Sequence, residues 1–548
     1  MSYRLILFLA LFFLPLSLFA ATPNNKFGIS LAQPHLEDFP KVRELVNSNS
    51  GDWGYITLIV QENDRDKNKW QDIFNRLRQD HLIPIIRLAT QPEGENWRRP
   101  EVKDIQSWVD FLDSLNWVVK NRYVVLFNEP NHGSEWGGEV DIKSYAEVSL
   151  EFAKKLKEKN KDFFVMLAGF DASAPSWMPG LEDEEVFLQG LTLVEGRTLW
   201  SYLDGLSSHS YPNPGFSGSP YAMGRGTVRT YEWELELLRQ LGVTEELPVF
   251  ITETGWKRGS ETAVADNFQI TFDQIWGPDS RVVAVTPFVF DYQGEPFLEF
   301  SWKTPSAKAS EGQGNFYQQY YTVQAMSKIK GEPEIIEKGW INFKLPSDLV
   351  VQSTYHFKVK LNNLGQAVWD KDAGYKIKSE TFLFDDLKDI NPFEEKDIYF
   401  TLKTNEDLGN KKIKFILQKN NKNILISDDW NINILPLPSL NFETKFFPWG
   451  KGRGEDYEIQ IFDIDDRLVF KKKSLSVNGG VGQLNNIQNI ALDELYRIVL
   501  LKPYHLPRQE FIVFKKDNNR IKFKLLLPLD FNNDGTFNFK DLLRLLGR

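Results

Sequence analysis

Over its first three hundred residues the chain alternates short apolar runs with amphipathic helical stretches. The candidate strands are Phe27–Leu31, Tyr55–Val60, Ile83–Leu88, Tyr123–Phe127, Phe163–Phe170, Gly205–His209, Val249–Thr252 and Val282–Phe290. Continuous apolar runs of this length suit strands buried on both faces, as in parallel sheets. Between them, Asp141–Glu158 places Ile142, Tyr145, Ala146, Phe152, Ala153 and Leu156 on one helical face. Thr230–Leu241 does the same with Tyr231, Leu235, Leu238 and Leu241, and Gly242 marks its stop. Eight such units in about 300 residues fit an α/β fold of the (β/α)8 barrel type better than an open doubly wound sheet. No GxGxxG follows the first strand, which weakens a nucleotide-binding reading.

In a barrel of this kind the chemistry sits at the C-terminal strand ends. There the sequence places Arg87 on the third strand, Asn128–Glu129 on the fourth, His209 and Tyr211 on the sixth, and Glu253 on the seventh, with Trp256 close behind. Strands four and seven lie across the ring from each other, so the two carboxylates face one another over its mouth. A pair of opposed carboxyl groups is the requirement of glycoside hydrolysis, one as acid and the other as nucleophile or as base toward water. A separation of about 5–5.5 Å implies retention and about 6.5–9.5 Å inversion, a choice the sequence leaves open. Arg87, His209 and Tyr211 are suited to holding Glu253 ionised. The Gly-rich stretches Asn131–Gly138 and Pro212–Gly226 belong at the same mouth. Trp136, Trp177, Trp256 and Trp302 are candidates for stacking on sugar rings, against plain packing.

The run Asn128–Glu129–Pro130, the run His209–Pro212 (HSYP) and Ile251–Trp256 together resemble the clan of retaining glycosidases that includes the family-5 and family-39 cellulase-like enzymes. The resemblance covers roughly Lys26–Lys330. It implies that Glu129 is the acid/base and Glu253 the nucleophile of a double displacement on β-linked poly- or oligosaccharides. By the same match Asn128 contacts the sugar, and His209 or Tyr211 sits beside the nucleophile. Arg87 matches less directly, because the clan's arginine comes from more than one strand end. The eighth strand lacks the clan's terminal Trp, for which Trp302 or Phe290 is the substitute. No cofactor is needed for catalysis. The rival from another class is a sugar-binding or adhesive surface protein whose barrel has lost activity.

Residues 1–21 read as a secretory signal, with Arg4, an apolar Leu5–Phe19 and small Ala20–Ala21. The expected destination is secreted or cell-surface, with no membrane span in the mature chain. The absence of cysteine excludes disulfides and thiol nucleophiles, and the net charge of −10 argues against nucleic acid as a partner. The barrel domain is expected over 22–330. Beyond it, strict alternation (Tyr355, Phe357, Val359, Leu361; Ile398, Phe400, Leu402) predicts a β-sandwich over 331–437. Leu435–Pro438 reads as a stiff linker, and a second small β module is expected over 438–528. The last segment, 529–548, opens with Asp530–Asp541, DFNNDGTFNFKD. It sets Asp530, Asn532, Asp534, Thr536 and Asp541 at the spacing of an EF-hand loop around Gly535, which predicts a structural Ca²⁺ site. The stretch resembles one half of a dockerin. A full dockerin carries two such repeats, so a cohesin partner is not supported.

Overall fold

The computed structural model describes residues 23–194, 198–305, 315–379, 383–384, 387–448 and 450–547; the signal segment 1–21 lies outside them. The chain divides into two compact units, Met1–Ile336 and Glu337–Arg548.

The first unit carries eight main strands: β1 (Gly28–Leu31), β2 (Gly54–Gln61), β3 (Leu82–Ala89), β4 (Arg122–Leu126), β5 (Phe163–Leu167), β6 (Leu206–His209), β7 (Val249–Glu253) and β8 (Val282–Val285). They form two sheets in sequence order, β1 to β5 and β6 to β8, and every neighbouring pair is parallel. Both seams between the sheets are bridged. At one, Phe27 pairs in parallel with Val285, and Ser30 N–H donates to the Pro287 carbonyl at 2.9 Å. At the other, Asp204 N–H donates to Val165 O at 3.0 Å and its carboxylate accepts from Val165 N–H at 2.7 Å. A side chain there replaces a missing ladder rung and satisfies strand edges that would otherwise be buried unpaired. The fifth and eighth expected strands are the ones that end early.

The helices α1 (Phe39–Val46), α2 (Lys67–Gln79), α3 (Ile105–Asp113), α4 (Ile142–Lys159), α5 (Glu184–Val194), α6 (Thr230–Gln240), α7 (Glu261–Thr271) and α8 (Gln318–Ala325) follow the strands. The Asp141 side chain caps α4 by accepting from Ser144 N–H at 2.9 Å. Tyr145 on α4 ties the ends of β4 and β5 together. Its hydroxyl donates to Leu126 O at 3.1 Å and accepts from Ala168 N–H at 2.9 Å. On α6 the buried face is Thr230, Tyr231, Glu234, Leu237 and Leu238, rotated from the expected stripe, with Leu235 only partly buried. The rotation puts a glutamate into the core.

That glutamate has a counterpart. Glu184 and Glu234 are both completely buried, their four oxygens make no well-formed hydrogen bond to another group among the described residues, and the Ser208 hydroxyl stands beside Glu234. Burial, and then the facing Glu234 charge, push Glu184 well above the usual carboxyl range; burial raises Glu234 as well. The physical solution is a proton held between them. Because the folded-state values are raised, the stability that this proton provides is present in acid and is lost as pH rises through them. Glu234→Gln supplies a neutral amide donor in place of one acid. The expected result is a gain of about 1–2 kcal/mol at pH 8 that shrinks toward zero at pH 5, read from denaturant midpoints. An equal effect at both pH values would contradict the shared proton.

The second unit is all-β among its described residues up to the C-terminal segment. Thr354–Asn363 pairs antiparallel with Glu395–Lys403, setting Tyr355 opposite Leu402 and Phe357 opposite Phe400. A seven-stranded sheet follows over 440–522, with Leu440, Phe442, Tyr457, Ile459, Ile461 and Ile498 in its core. The stretch expected as a linker is bonded on both sides: Leu435 O accepts from Val351 N–H, and Pro438 O from Ile487 N–H. The Tyr355 hydroxyl also donates to Ile490 O at 2.8 Å. At the C-terminal segment Gly535 adopts φ +86°, which favours glycine. The two oxygens of Asp530 accept from Asp534 and Gly535 N–H, each at 3.0 Å. Asn538 and Asp541 then cap helix α9 (Phe539–Leu545). No helix among the described residues is long and apolar enough to cross a membrane.

Candidate active site

At the C-terminal ends of β3, β4, β6 and β7 six polar side chains converge, Arg87, Asn128, Glu129, His209, Tyr211 and Glu253, and local backbone irregularity aims the two acids. On β4, alternation would send the residue after Leu126 inward. Instead Phe127 and Glu129 take φ of +72° and +28°, a conformation non-glycine residues adopt at a cost of about 1–3 kcal/mol each. Phe127 turns outward against Trp136 and Phe152, a packing gain that offsets the strain, and Asn128 and Glu129 turn into the mouth. Glu129 N–H donates to Gly169 O at 3.2 Å. On β7, Ser208 pairs with Ile251 but His209 pairs with Glu253, so a bulge adds one residue to β7. The bulge brings Glu253 alongside His209 on the inner side, where strict alternation would have sent it out.

Glu253 is held at both oxygens. Arg87 Nη1 bonds Oε1, and the Tyr211 hydroxyl donates to Oε2 at 3.0 Å. Arg87 Nη1 also donates to Asn128 Oδ1 at 2.6 Å. His209 Nδ1 meets Glu129 Oε1 at 2.7 Å and lies 3.9 Å from Glu253 Oε2. The His209 ring occupies the space beside Gly169: a Cβ there would stand 2.1 Å from Cδ2, so only glycine admits the imidazole. Burial alone would raise Glu253, but the charges of His209 and Arg87 and the bonds from Tyr211 and Arg87 outweigh it and hold the group below the ordinary value. For His209, burial lowers and the two glutamates raise, and the net shift is upward. Burial and Glu253 push the Tyr211 phenol well up, so it stays a donor.

One atom each of Glu129, His209 and Glu253 lies within 4.8 Å of the other two. A histidine with two carboxylates at that spacing also has the donor count for a divalent cation. Here, however, a guanidinium and a phenol already occupy both oxygens of Glu253, and a metal would have to sit against the Arg87 charge. The side chains of Glu129 and Glu253 keep 20% and 11% of their surface exposed, so both reach solvent, whereas His209 at 1% does not. The His209 side chain is thus enclosed, with the two carboxylates as its partners.

The tryptophans divide. Trp136, Trp256 and Trp302 are buried, with their rings packed on Phe127, Tyr145 and Phe268, so the sugar contacts expected of them are not available in this structure. Phe290 is buried too. The reason is steric: each indole fills a gap between a strand end and a helix. Trp177 is 80% exposed in the loop after β5. The aromatic side chains beside Tyr211 are Phe216 and Phe300, with Phe288 next to Phe300 and half-buried. Sequence reasoning missed Glu135, a half-buried carboxyl that burial and then the Glu129 charge push up to about 7, with Arg87 and Glu253 also in its electrostatic surroundings. Its signal was its place in the Gly-rich stretch after Glu129. The loops after β1 and β8 enclose a further cleft of about 390 Å³ lined by Gln33, His35, Asp38, Asp291 and Tyr292.

No protein-family model matches this chain, and no curated protein matches it. Among solved structures, similarity is found to a GH39 beta-xylosidase from Caulobacter crescentus, at 14% identity over 62% of this chain and 79% of that one, with a TM-score of 0.40. A glucosidase from Croceicoccus marinus matches at 11% identity over 90% of this chain and 97% of that one, with a TM-score of 0.39. An FMN-binding beta-glucuronidase from Facaelibacterium prausnitzii L2-6 matches at 10% identity over 76% of this chain, with a TM-score of 0.36; the match spans 57% of that protein's length. At TM-scores below 0.5 none of these likenesses fixes the fold.

Proposed function

We propose that the two bridged sheets are one closed (β/α)8 barrel and that the chain is an exported retaining β-glycoside hydrolase. The observation that carries this reading is the close approach of Glu129 and Glu253, within 4.8 Å through one oxygen each, at a mouth open to solvent. That spacing is shorter than the about 6.5–9.5 Å at which an inverting pair seats its attacking water against the sugar, and it supports direct attack. Glu253, bonded by Arg87 and Tyr211, is the ionised partner and attacks the anomeric carbon. Glu129 protonates the glycosidic oxygen as the C1–O bond breaks, and the new C1–O bond to Glu253 forms. Glu129 then takes a proton from water, whose oxygen attacks C1 and releases Glu253. His209, bonded to Glu129 at 2.7 Å, keeps a proton beside the acid through both steps. Asn128, fixed by Arg87, presents its amide to the sugar 2-hydroxyl, where bonding strengthens in the transition state.

The test is hydrolysis of a panel of aryl β-glycosides and β-linked polysaccharides, followed by NMR of the first product. The reading requires turnover with the β-anomer formed first. The α-anomer first would replace retention with inversion, and no turnover on any sugar would favour a binding protein.

The Asp530–Asp541 loop is, in the same reading, a structural Ca²⁺ site with no part in the chemistry. Its donors are oxygens only, Asp530 and Asp541 are buried, and Gly535 makes the turn such a loop needs. After chelation, Ca²⁺ at about 100 times its Kd is expected to restore about 2.7 kcal/mol to this segment. Proteolysis of the C-terminus reads it: protection by Ca²⁺ that Asp530→Ala abolishes supports the site, and equal cleavage with and without Ca²⁺ counts against it.

A further inference from the structure

The cleft between the loops after β1 and β8 takes no part in the double displacement. Its volume of about 390 Å³ falls within the about 300–1,000 Å³ of small-molecule sites, and Gln33, His35, Asp38, Asp291 and Tyr292 line it. The two carboxylates are fixed by one ammonium. Lys303 Nζ donates to Asp38 Oδ1 at 2.8 Å and stands 2.9 Å from Asp291 Oδ2. The backbone around them is fixed too. Lys303 N–H donates to Phe290 O at 3.0 Å, Phe290 N–H to Ser30 O at 2.9 Å, and Asp38 N–H to His35 O at 3.1 Å. Tyr292 N–H donates to Ser301 Oγ at 3.1 Å, and the Gln293 amide donates to Asp291 Oδ1. Polar groups held in this way meet a ligand without being reordered.

From the cleft a row of aromatic rings leads back to Glu253. Tyr292 stands edge-on to Phe297 at 5.4 Å between centroids, and Phe297 edge-on to Phe288 at 5.2 Å. Phe288 and Phe300 follow at 6.2 Å, and Phe300 and Tyr211 at 6.3 Å. Tyr211 donates to Glu253. Phe297 keeps 40% of its surface exposed, and Tyr292 and Phe288 are half-buried, so part of the row is open to solvent. Ring faces suit the C–H face of a sugar, and fixed carboxylates accept from its hydroxyls. We propose that this cleft is a second sugar subsite, seating the sugar next to the attacked one on its non-reducing side, so that chains are cut at least one sugar in from that end. The proposal rests on the barrel and glycosidase reading, which also gives its direction. In a ring of eight strands β8 lies opposite β4, so the cleft is across the mouth from Glu129. The leaving group departs on the Glu129 side, and the part of the chain that stays on Glu253 extends toward β8 and β1.

The experiment compares kcat/KM for nitrophenol release from matched nitrophenyl β-glycosides of a single sugar and of its β-linked disaccharide, built on glucose, xylose and mannose. The single sugar leaves the cleft empty, and the disaccharide reaches it. For the wild type the expectation is at least one pair in which the disaccharide is preferred by about tenfold or more, because contacts to the remote sugar stabilise the transition state at the reacting one. In Tyr292→Ala and in Asp291→Ala that preference falls to about twofold or less. A variant that folds poorly lowers both rates alike and leaves their ratio unchanged, so a collapsed ratio reports the cleft and not the fold. A ratio unchanged in both variants, or a wild type that cleaves single-sugar substrates as well as their disaccharides, overturns the subsite and leaves the glycosidase reading standing. No turnover of any member of the panel sinks the enzymatic reading and the subsite with it.

Discussion

Glu253→Ala lowers kcat on an aryl β-glycoside by about 10⁴–10⁶-fold, because the group that bonds to C1 is gone and water is a poor substitute. A tenfold change is about 1.36 kcal/mol, so the loss corresponds to at least about 5 kcal/mol of transition-state stabilisation. The alanine leaves a space beside Arg87 and Tyr211, the two donors that bonded the carboxylate. A small anion such as azide fits that space and attacks C1 from the face Glu253 used. The expected product is the α-glycosyl azide, with configuration opposite to the substrate. Wild-type-like turnover would remove Glu253 from the chemistry altogether.

Glu129→Ala gives a different pattern, and the difference assigns the roles. General acid assistance contributes about 10²–10⁴-fold, and it matters most when the leaving oxygen is basic. The expected loss in kcat/KM is therefore near the upper end for alkyl glycosides and disaccharides and small for dinitrophenyl glycosides, whose leaving group departs without a proton. With those activated substrates the glycosyl-enzyme on Glu253 still forms, but water is no longer deprotonated. Azide, which needs no base, then attacks from the side where Glu129 stood and yields the β-glycosyl azide. An α-azide from this variant, or a loss independent of leaving-group acidity, would exchange or cancel the assignments.

The parallel strands and their helices were legible because burial on both faces writes continuous apolar runs, and amphipathic helices write a 3.6-residue stripe. The strand ends were legible as places, since polar residues there interrupt otherwise apolar runs. The aiming of the acids was not. It depends on left-handed backbone at Phe127 and Glu129 and on a bulge that pairs His209 with Glu253, and neither residue type advertises such a conformation. The tryptophans misled because an indole that fills a core gap has the same composition signal as one that stacks on a sugar. Glu234 was hidden for a related reason. A glutamate on an apolar helix face reads as the edge of the stripe, and only the partner Glu184 from another helix makes its burial intelligible. Glu135 lies six residues beyond Glu129, a distance along the chain that carries no periodic signal.

The most direct test of the central claim is to expose the protein to a 2-deoxy-2-fluoro-β-glycoside with a dinitrophenyl leaving group and to map the adduct by mass spectrometry. The fluorine slows both steps and the activated leaving group speeds only the first, so a covalent intermediate accumulates. The account predicts one fluoroglycosyl ester on the peptide carrying Glu253, absent from Glu253→Ala and formed still in Glu129→Ala. An adduct on any other residue, or full turnover of ordinary β-glycosides with no adduct at all, would contradict it.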